Sequence, residues 1–494
     1  MPTHHRHVTT LRACATVCTL VGAFAVPLAS ARDAASKPAA TPSWSALAKI
    51  DIDAIHDELK ANHPAMVDTT PLGKRYQQWL EDGRTRALHD AESATTGADY
   101  ARVLRRYVVG FEDGHIGVSF DGLPDAEWPG FFTREVTPGR IEVSAVGKDA
   151  PLPSGATLEQ CDGRDARQLM DELVVPYRVN PGIPHQRGEM STRLMLSFPD
   201  DTRRPTHCRF LVDGAPHDIT LQWRKTGDDI GGIIERAAGT ASAPLGMRTV
   251  DDVVFISAPS FHLFDKDAEA MRAMLERIDK ERETLQRAPW IVIDVRGNGG
   301  GNSNWGDQLA SVLYGEPLAA SIANSFDWSI DWRATPHNAQ VMRDNAASQR
   351  KNGMTDVADG SDEIAKAIDA AVAAGEPYLH RPAATKPYEK PAKSPYAGKV
   401  FFLTDNICAS ACLDFADLML RMPGVVHIGL PTSADAVYID NYGFALPSGK
   451  ARIGTSLKVY RNRVRGNNEW YTPQHAWTGG TMDDAAIAAW VKTL

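Results

Sequence analysis

An α/β core preceded by a helical region and a small, mostly β module is the architecture this sequence predicts, and three observations predict it. From Val253 onward, apolar strand-like runs alternate with amphipathic helical runs, the pattern of a sheet covered by helices. Across 121–230, short alternating stretches are broken by Gly155, Gly163 and Gly214, as in a β module closed by tight turns. Ahead of both, Tyr100, Val103, Leu104, Tyr107, Val108 and Phe111 recur at helical spacing, so one face of a helix is apolar.

The chain opens with Arg6 and Arg12, an apolar run from Ala13 to Leu28 and the small residues Ala29-Ser30-Ala31. This reads as a secretory signal over 1–31, removed on export. The run contains Pro27 and is too short for a membrane span, and no other segment approaches ~20 continuous apolar residues. An exported protein without stable membrane insertion, periplasmic or extracellular, is expected. Losing Arg6 and Arg12 leaves 51 basic against 62 acidic residues, a charge of −11, which argues against nucleic acid.

With Cys14 and Cys18 inside the signal, Cys161, Cys208, Cys408 and Cys412 remain for an oxidising compartment. Bridging Cys161 to Cys208 would stabilise their module by roughly 3–4 kcal/mol. Cys408 and Cys412 flank Ser410 and either bridge or stay as two small buried thiols. The second is favoured, because a short bridge across a tight turn is easily strained. No Cys-x-x-Cys or His-Glu-x-x-His occurs, so neither metal nor cofactor is expected.

In order, a linker at 32–43 leads to the helical region 44–120, which closes on the turn Glu112-Asp113-Gly114-His115 and an alternating strand. The β module at 121–230 has one helix near Ala166 to Leu173, and a Gly/Ala-rich connection near Gly231 to Gly246 follows. The α/β core at 246–494 contains strand Val253 to Ser257, helix Lys266 to Leu285, strand Trp290 to Val295 and a glycine loop. Its rhythm is interrupted at about 324–395 by two polar-faced helical stretches and a Pro/Lys-rich tail, a lid, a substrate wall or a surface insertion.

Val400-Phe-Phe-Leu-Thr-Asp-Asn-Ile-Cys-Ala-Ser410 runs an apolar strand through a small-residue turn into a helix beginning at Ala411. A serine there can be a helix N-cap or a nucleophile, and a nucleophile needs a base and oxyanion donors. Asp294-Val-Arg-Gly-Asn-Gly-Gly-Gly301 offers bare amides at Gly299 and Gly300. The amide of Ala411 adds another at the helix start. Arg296 reads as a brace for this loop. His115, at a helix-to-strand junction, is a structural histidine or the base, since an imidazole pKa near ~6.5 suits proton exchange near neutrality.

These residues resemble a family. Asp294-Val-Arg-Gly-Asn-Gly-Gly-Gly301, Ser410-Ala411 after a strand, Gly429-Leu-Pro-Thr432 after the next, and a closing Tyr471-Thr-Pro473 are similar to the C-terminal processing and tricorn-core serine peptidases. The resemblance implies a spiral α/β core of ββα units, shared with crotonase-like and ClpP-like proteins, and a PDZ-like middle module. It implies peptide or protein substrates and leaves oligomeric state open.

Lysine-type members of the family carry a Lys at the position that is Asp435 here, and no lysine falls between Ser410 and Lys450. Lys450, in a predicted hairpin turn, stays solvated and protonated, a poor base. The tricorn-like branch uses a histidine and a late glutamate, which fall on His115 and Glu469. Tricorn itself has a second serine just before the histidine, where Gly114 stands here. Glu469 is expected to orient His115 directly or through water, with Asp113 as the alternative. His262, in Ser260-Phe-His-Leu-Phe264, is either an aromatic-flanked buried histidine or a substrate contact.

The expectation is an exported serine peptidase: His115 takes the proton of Ser410, amides at Gly299, Gly300 and Ala411 hold the oxyanion, and water resolves the acyl-enzyme. An esterase or acyl-transferase would use the same residues. A peptide-binding scaffold with a decayed site is the alternative outside catalysis.

Overall fold

The computed structural model describes residues 42–227, 229–239, 242–351, 354–382 and 393–494. The expected signal 1–31 and most of the linker lie outside the described residues. Among the described residues no helix is long and apolar enough to cross a membrane.

Three helices, Trp44–Asn62, Pro71–Glu92 and Gly97–Val109, form the N-terminal region. Each starts on a hydroxyl cap, from Ser43, Thr70 and Thr96, the last with Asp99 closing a capping box. A cap contributes about 1 kcal/mol. The third helix also buries Tyr100, Val103, Leu104, Tyr107 and Val108, at roughly 1.5–3 kcal/mol per large apolar side chain, so packing decides its place. It stops at Gly110, where a Cβ would stand 2.0 Å from the Trp79 ring.

The middle module is an antiparallel sheet in the order Phe131–Thr137, Arg140–Val146, Thr157–Cys161, His207–Val212, Ala215–Thr220. Cys161 and Cys208 face each other across adjacent strands and are bridged. The module has its own core around Phe131, Phe132, Leu158, Leu169 and Phe210. Where a Gly/Ala-rich connection is expected, Ile230–Ala237 is a helix, because Ile233 and Ala237 give it an apolar face that joins this core.

The α/β core is a sheet in the order Gly246–Val250, Val253–Ser257, Trp290–Asp294, Lys399–Thr404, Val425–Gly429, His475–Ala476, parallel from the second strand on. Helices Asp265–Arg287, Ser303–Tyr314 and Ala411–Met419 cover one face, and Asp484–Val491 covers the other. Both faces are sealed, which is why the central strands read as unbroken apolar runs.

A third sheet ties the ends of the chain together. Its hub is the long strand Arg452–Arg461, which pairs with Gly117–Ser119, Tyr438–Ala445 and Ser329–Arg333. The N-terminal helices pack on it, sharing one core with Tyr438, Leu446, Ile453 and Val459. Within the excursion at 324–395, whose Pro/Lys-rich tail lies mostly outside the described residues, Ser329–Arg333 and Tyr378–Pro382 are strands of this sheet, and helices Pro336–Lys351 and Thr355–Ala373 lie between them in sequence. The strands escape notice because Asp331, Arg333, His380 and Arg381 break the apolar run that marks the central strands.

Candidate active site

The strand Lys399–Thr404 delivers the chain into a tight turn that ends at Ser410, just before helix Ala411–Met419. Ser410 adopts φ 53° and ψ −122°, a region L-residues avoid at a cost of about 1–3 kcal/mol. Its side chain makes no capping bond to the helix, so the N-cap role does not account for it. Half-buried, the hydroxyl stands at a helix start whose first amide, that of Ala411, has no hydrogen bond among the described residues. Cys408 and Cys412 are bridged, with Cα atoms 5.3 Å apart. This corrects the expectation of free thiols: the turn already brings the two α-carbons to bridging distance.

The glycine loop is stitched to this turn. The Gly297 amide donates to Asp405 Oδ2 (2.8 Å) and the Ala409 amide to the Asn298 carbonyl (3.4 Å). Asn298 is buried, its Nδ2 donating to the Ala258 carbonyl (2.8 Å) and its Oδ1 accepting the Gly300 amide (2.9 Å). Gly300 has φ 100°, and a Cβ there would lie 2.7 Å from the Ala409 carbonyl oxygen and 2.8 Å from Ser410 Cβ. Only glycine allows that approach. Since the Gly300 amide is taken, its expected role as a free oxyanion donor is corrected to one of close packing. Gly299, exposed on the loop, and Ala411 keep amides without partners among the described residues.

Arg296 braces the loop as expected. Fully enclosed, it bonds both carboxylate oxygens of Asp294 (2.9 and 2.7 Å), Asp484 Oδ1 (2.7 Å) and the Met482 carbonyl. Burial alone would lower its pKa, but these acids overcome that and raise it. Asp405, whose oxygens accept the Gly297 and Ile407 amides, is pushed up to about 7, chiefly by burial. His262 is exposed, stacked edge-on against Phe264 at 4.6 Å. Its neighbour Phe261 exchanges backbone hydrogen bonds with Gly300 and Asn302, so the backbone at His262 runs beside the glycine loop.

His115 is buried, and its Nδ1 has no hydrogen-bond partner. The carboxylate beside it is Asp113, with Oδ1 at 3.7 Å from Nδ1. Asp113 also accepts the His115 amide (2.7 Å) and the Tyr76 hydroxyl (2.9 Å), and burial raises its pKa. Asp435 and Asp440 feel the same imidazole electrostatically. Burial would raise the Asp435 carboxyl, yet Arg463, Arg465 and His115 together hold it at about 2. One of its oxygens is buried without a partner. Glu469, by contrast, is exposed, and its carboxylate accepts the Gly466 amide at 2.5 Å. It makes no bond to His115 among the described residues, because it caps its own turn.

No hydrogen bond joins Ser410 to His115 among the described residues. A charge network lies between the elements that carry them. Asp414 and Asp417, on the helix Ser410 begins, bond Arg465 at 3.0 and 2.9 Å, and Arg465 bonds Asp435 at 2.7 Å. Sequence reasoning missed Arg465; two aspartates three apart in an otherwise apolar helix were the available signal. It also missed Lys458, which is buried over the rings of Trp332 and Tyr460 and lies 2.8 Å from Asp440. Lys450 sits against Gly122 in the turn before strand Arg452–Arg461, packed on the N-terminal region and bonded to none of these groups.

Residues 252–468 match the model of Peptidase family S41. Among solved structures, mature CPAF superposes with a TM-score of 0.58 at 12% identity, over 88% of this chain and 93% of that one. Mature CPAF complexed with lactacystin gives 0.59 at 12% identity, over 91% and 97%. Such low identity carries the fold alone. No curated protein matches the sequence. The matched region 252–468 belongs to peptidase family S41, and the chain is a serine-type peptidase.

Proposed function

We propose that the chain is an exported peptidase that cleaves peptides or proteins through an acyl-enzyme on Ser410, with His115 as the base. The observation that carries this reading is the backbone of Ser410: a non-glycine residue at φ 53°, its hydroxyl unspent on capping and its neighbour Gly300 stripped of a Cβ to admit it. His115 accepts the Ser410 proton as Oγ attacks the carbonyl carbon, and the Gly299 and Ala411 amides receive the oxyanion. His115 returns the proton to the leaving amine, then activates water to release the acyl group.

Asp113 orients the imidazole, and charged Asp435 stabilises the imidazolium that forms. Catalytic hydrogen bonds in unliganded enzymes are commonly long and tighten around substrate, so closure of the His115 loop on the nucleophile turn belongs to this reading. Two disulfides support an oxidising compartment, in line with the leader-like 1–31. The open Ser410-to-His115 geometry favours one other reading, a folded scaffold without turnover. Fluorophosphonate labelling separates them: labelling lost in Ser410→Ala supports the enzyme, and a folded wild type that never labels overturns it.

A further inference from the structure

Away from the nucleophile, a second cavity opens between the third N-terminal helix and the β module, with a volume of about 260 Å³. Arg102, Arg105, Arg178, Arg193 and Arg204 line it, with Asp201 as the one carboxylate in its wall. Two of the five are spoken for: Arg102 pairs with Asp99 and Asp201 at 2.6 and 2.7 Å, and Arg204 pairs with Glu127 at 2.7 Å. The other three form no ion pair among the described residues. Arg105 lies 4.8 and 5.5 Å over the rings of Phe120 and Phe198. Arg193 feels Glu189 only at a distance, and the charges Arg178 feels are those of Arg105 and Arg193.

Arg105, Arg178 and Arg193 are half-buried, and drawing three like charges partly out of water into one cavity without a counter-ion is costly. The strain registers on the groups themselves. Burial, then Arg193 and Arg102, pulls Arg105 down to about 10, and burial with Arg105 and Arg193 lowers Arg178 as well. What the enclosure lacks is negative charge. Guanidinium forks match oxyanions bidentately, and three forks exceed what a single carboxylate can satisfy. The volume lies just below the ~300–1,000 Å³ of drug-sized sites, so the occupant is small.

We propose that this cavity binds a compact multivalent oxyanion of the phosphate or polycarboxylate type. The test is calorimetric titration and thermal unfolding of the full chain with sodium phosphate and with citrate, against sodium chloride at matched ionic strength. A saturable rise in Tm of about 2 °C or more, with one anion bound per chain, is expected. Tighter phosphate binding assigns the phosphate type and tighter citrate binding the polycarboxylate type. Arg178→Met/Arg193→Met is expected to weaken binding at least tenfold while its Tm without anion equals or exceeds the wild type's. Should that pair not fold, Arg193→Lys, which keeps the charge and loses the fork, is expected to weaken binding measurably. No shift beyond that of chloride, or binding unchanged in these variants, overturns the proposal.

Discussion

The two halves of the candidate site are built differently. Around Ser410, the Gly297 and Ala409 amides, both polar ends of Asn298 and Arg296 are bonded to named partners, and the strained backbone is spanned by one disulfide. Around His115, buried polar atoms stand unpaired among the described residues: Nδ1 of the ring and one oxygen each of Asp435 and Asp440, whose other oxygens meet arginines and Lys458. The Ser410 half is held by paired groups. The His115 half is assembled from loops joined by charge and by backbone contacts: Arg463 and Arg465 bond Asp435, and Asn468 donates to the Glu112 carbonyl (2.8 Å).

That contrast can be broken at its rigid end first. Ser410→Ala is expected to lower kcat by about 10⁴–10⁶ without changing unfolding, measured by peptide turnover and calorimetry; residual activity above that range would move the nucleophile elsewhere. Next comes the joint. Arg465→Met leaves Asp414, Asp417 and Asp435 facing one another in a buried site and is expected to cost about 3–5 kcal/mol in denaturant unfolding. A neutral result would mean that the network does not hold the halves together.

The two candidate orienters sharpen the comparison. Asp113→Asn is expected to reduce kcat by about 10²–10⁴, whereas exposed Glu469→Gln should change it by roughly threefold or less. The reverse order would restore the glutamate. The smallest effect concerns pH. Burial, reinforced by Asp405, raises Glu189 to about 7. A carboxyl raised on folding leaves the native state holding the extra proton, so its contribution to stability falls as pH rises from about 4.5 to about 7. Wild type minus Glu189→Gln should therefore lose of order 1–3 kcal/mol across that window; a flat difference would remove the shift.

Periodicity made the helices and central strands legible, because both report burial on one face or two. The glycine loop and Ser410 were legible because strained backbone and close approach demand particular residue types, and Gly300 shows the demand directly. Glu469 was misread: a carboxylate at the expected place in the chain says nothing about which way its side chain turns, and the nearby Gly466 amide claimed it. Arg465, Lys458 and the arginine cavity were invisible, since each depends on side chains from distant segments arriving at one point.

The bridge between Cys408 and Cys412 spans Ser410, and closing so short a loop contributes only about 2 kcal/mol to the whole chain. Its leverage is local. Newly made chains kept among reducing thiols would carry an unlocked elbow, and arming would wait for passage into an oxidising space. Rate lost to dithiothreitol and regained on reoxidation, but never in Cys408→Ser/Cys412→Ser, would mark sulfur as the safety catch.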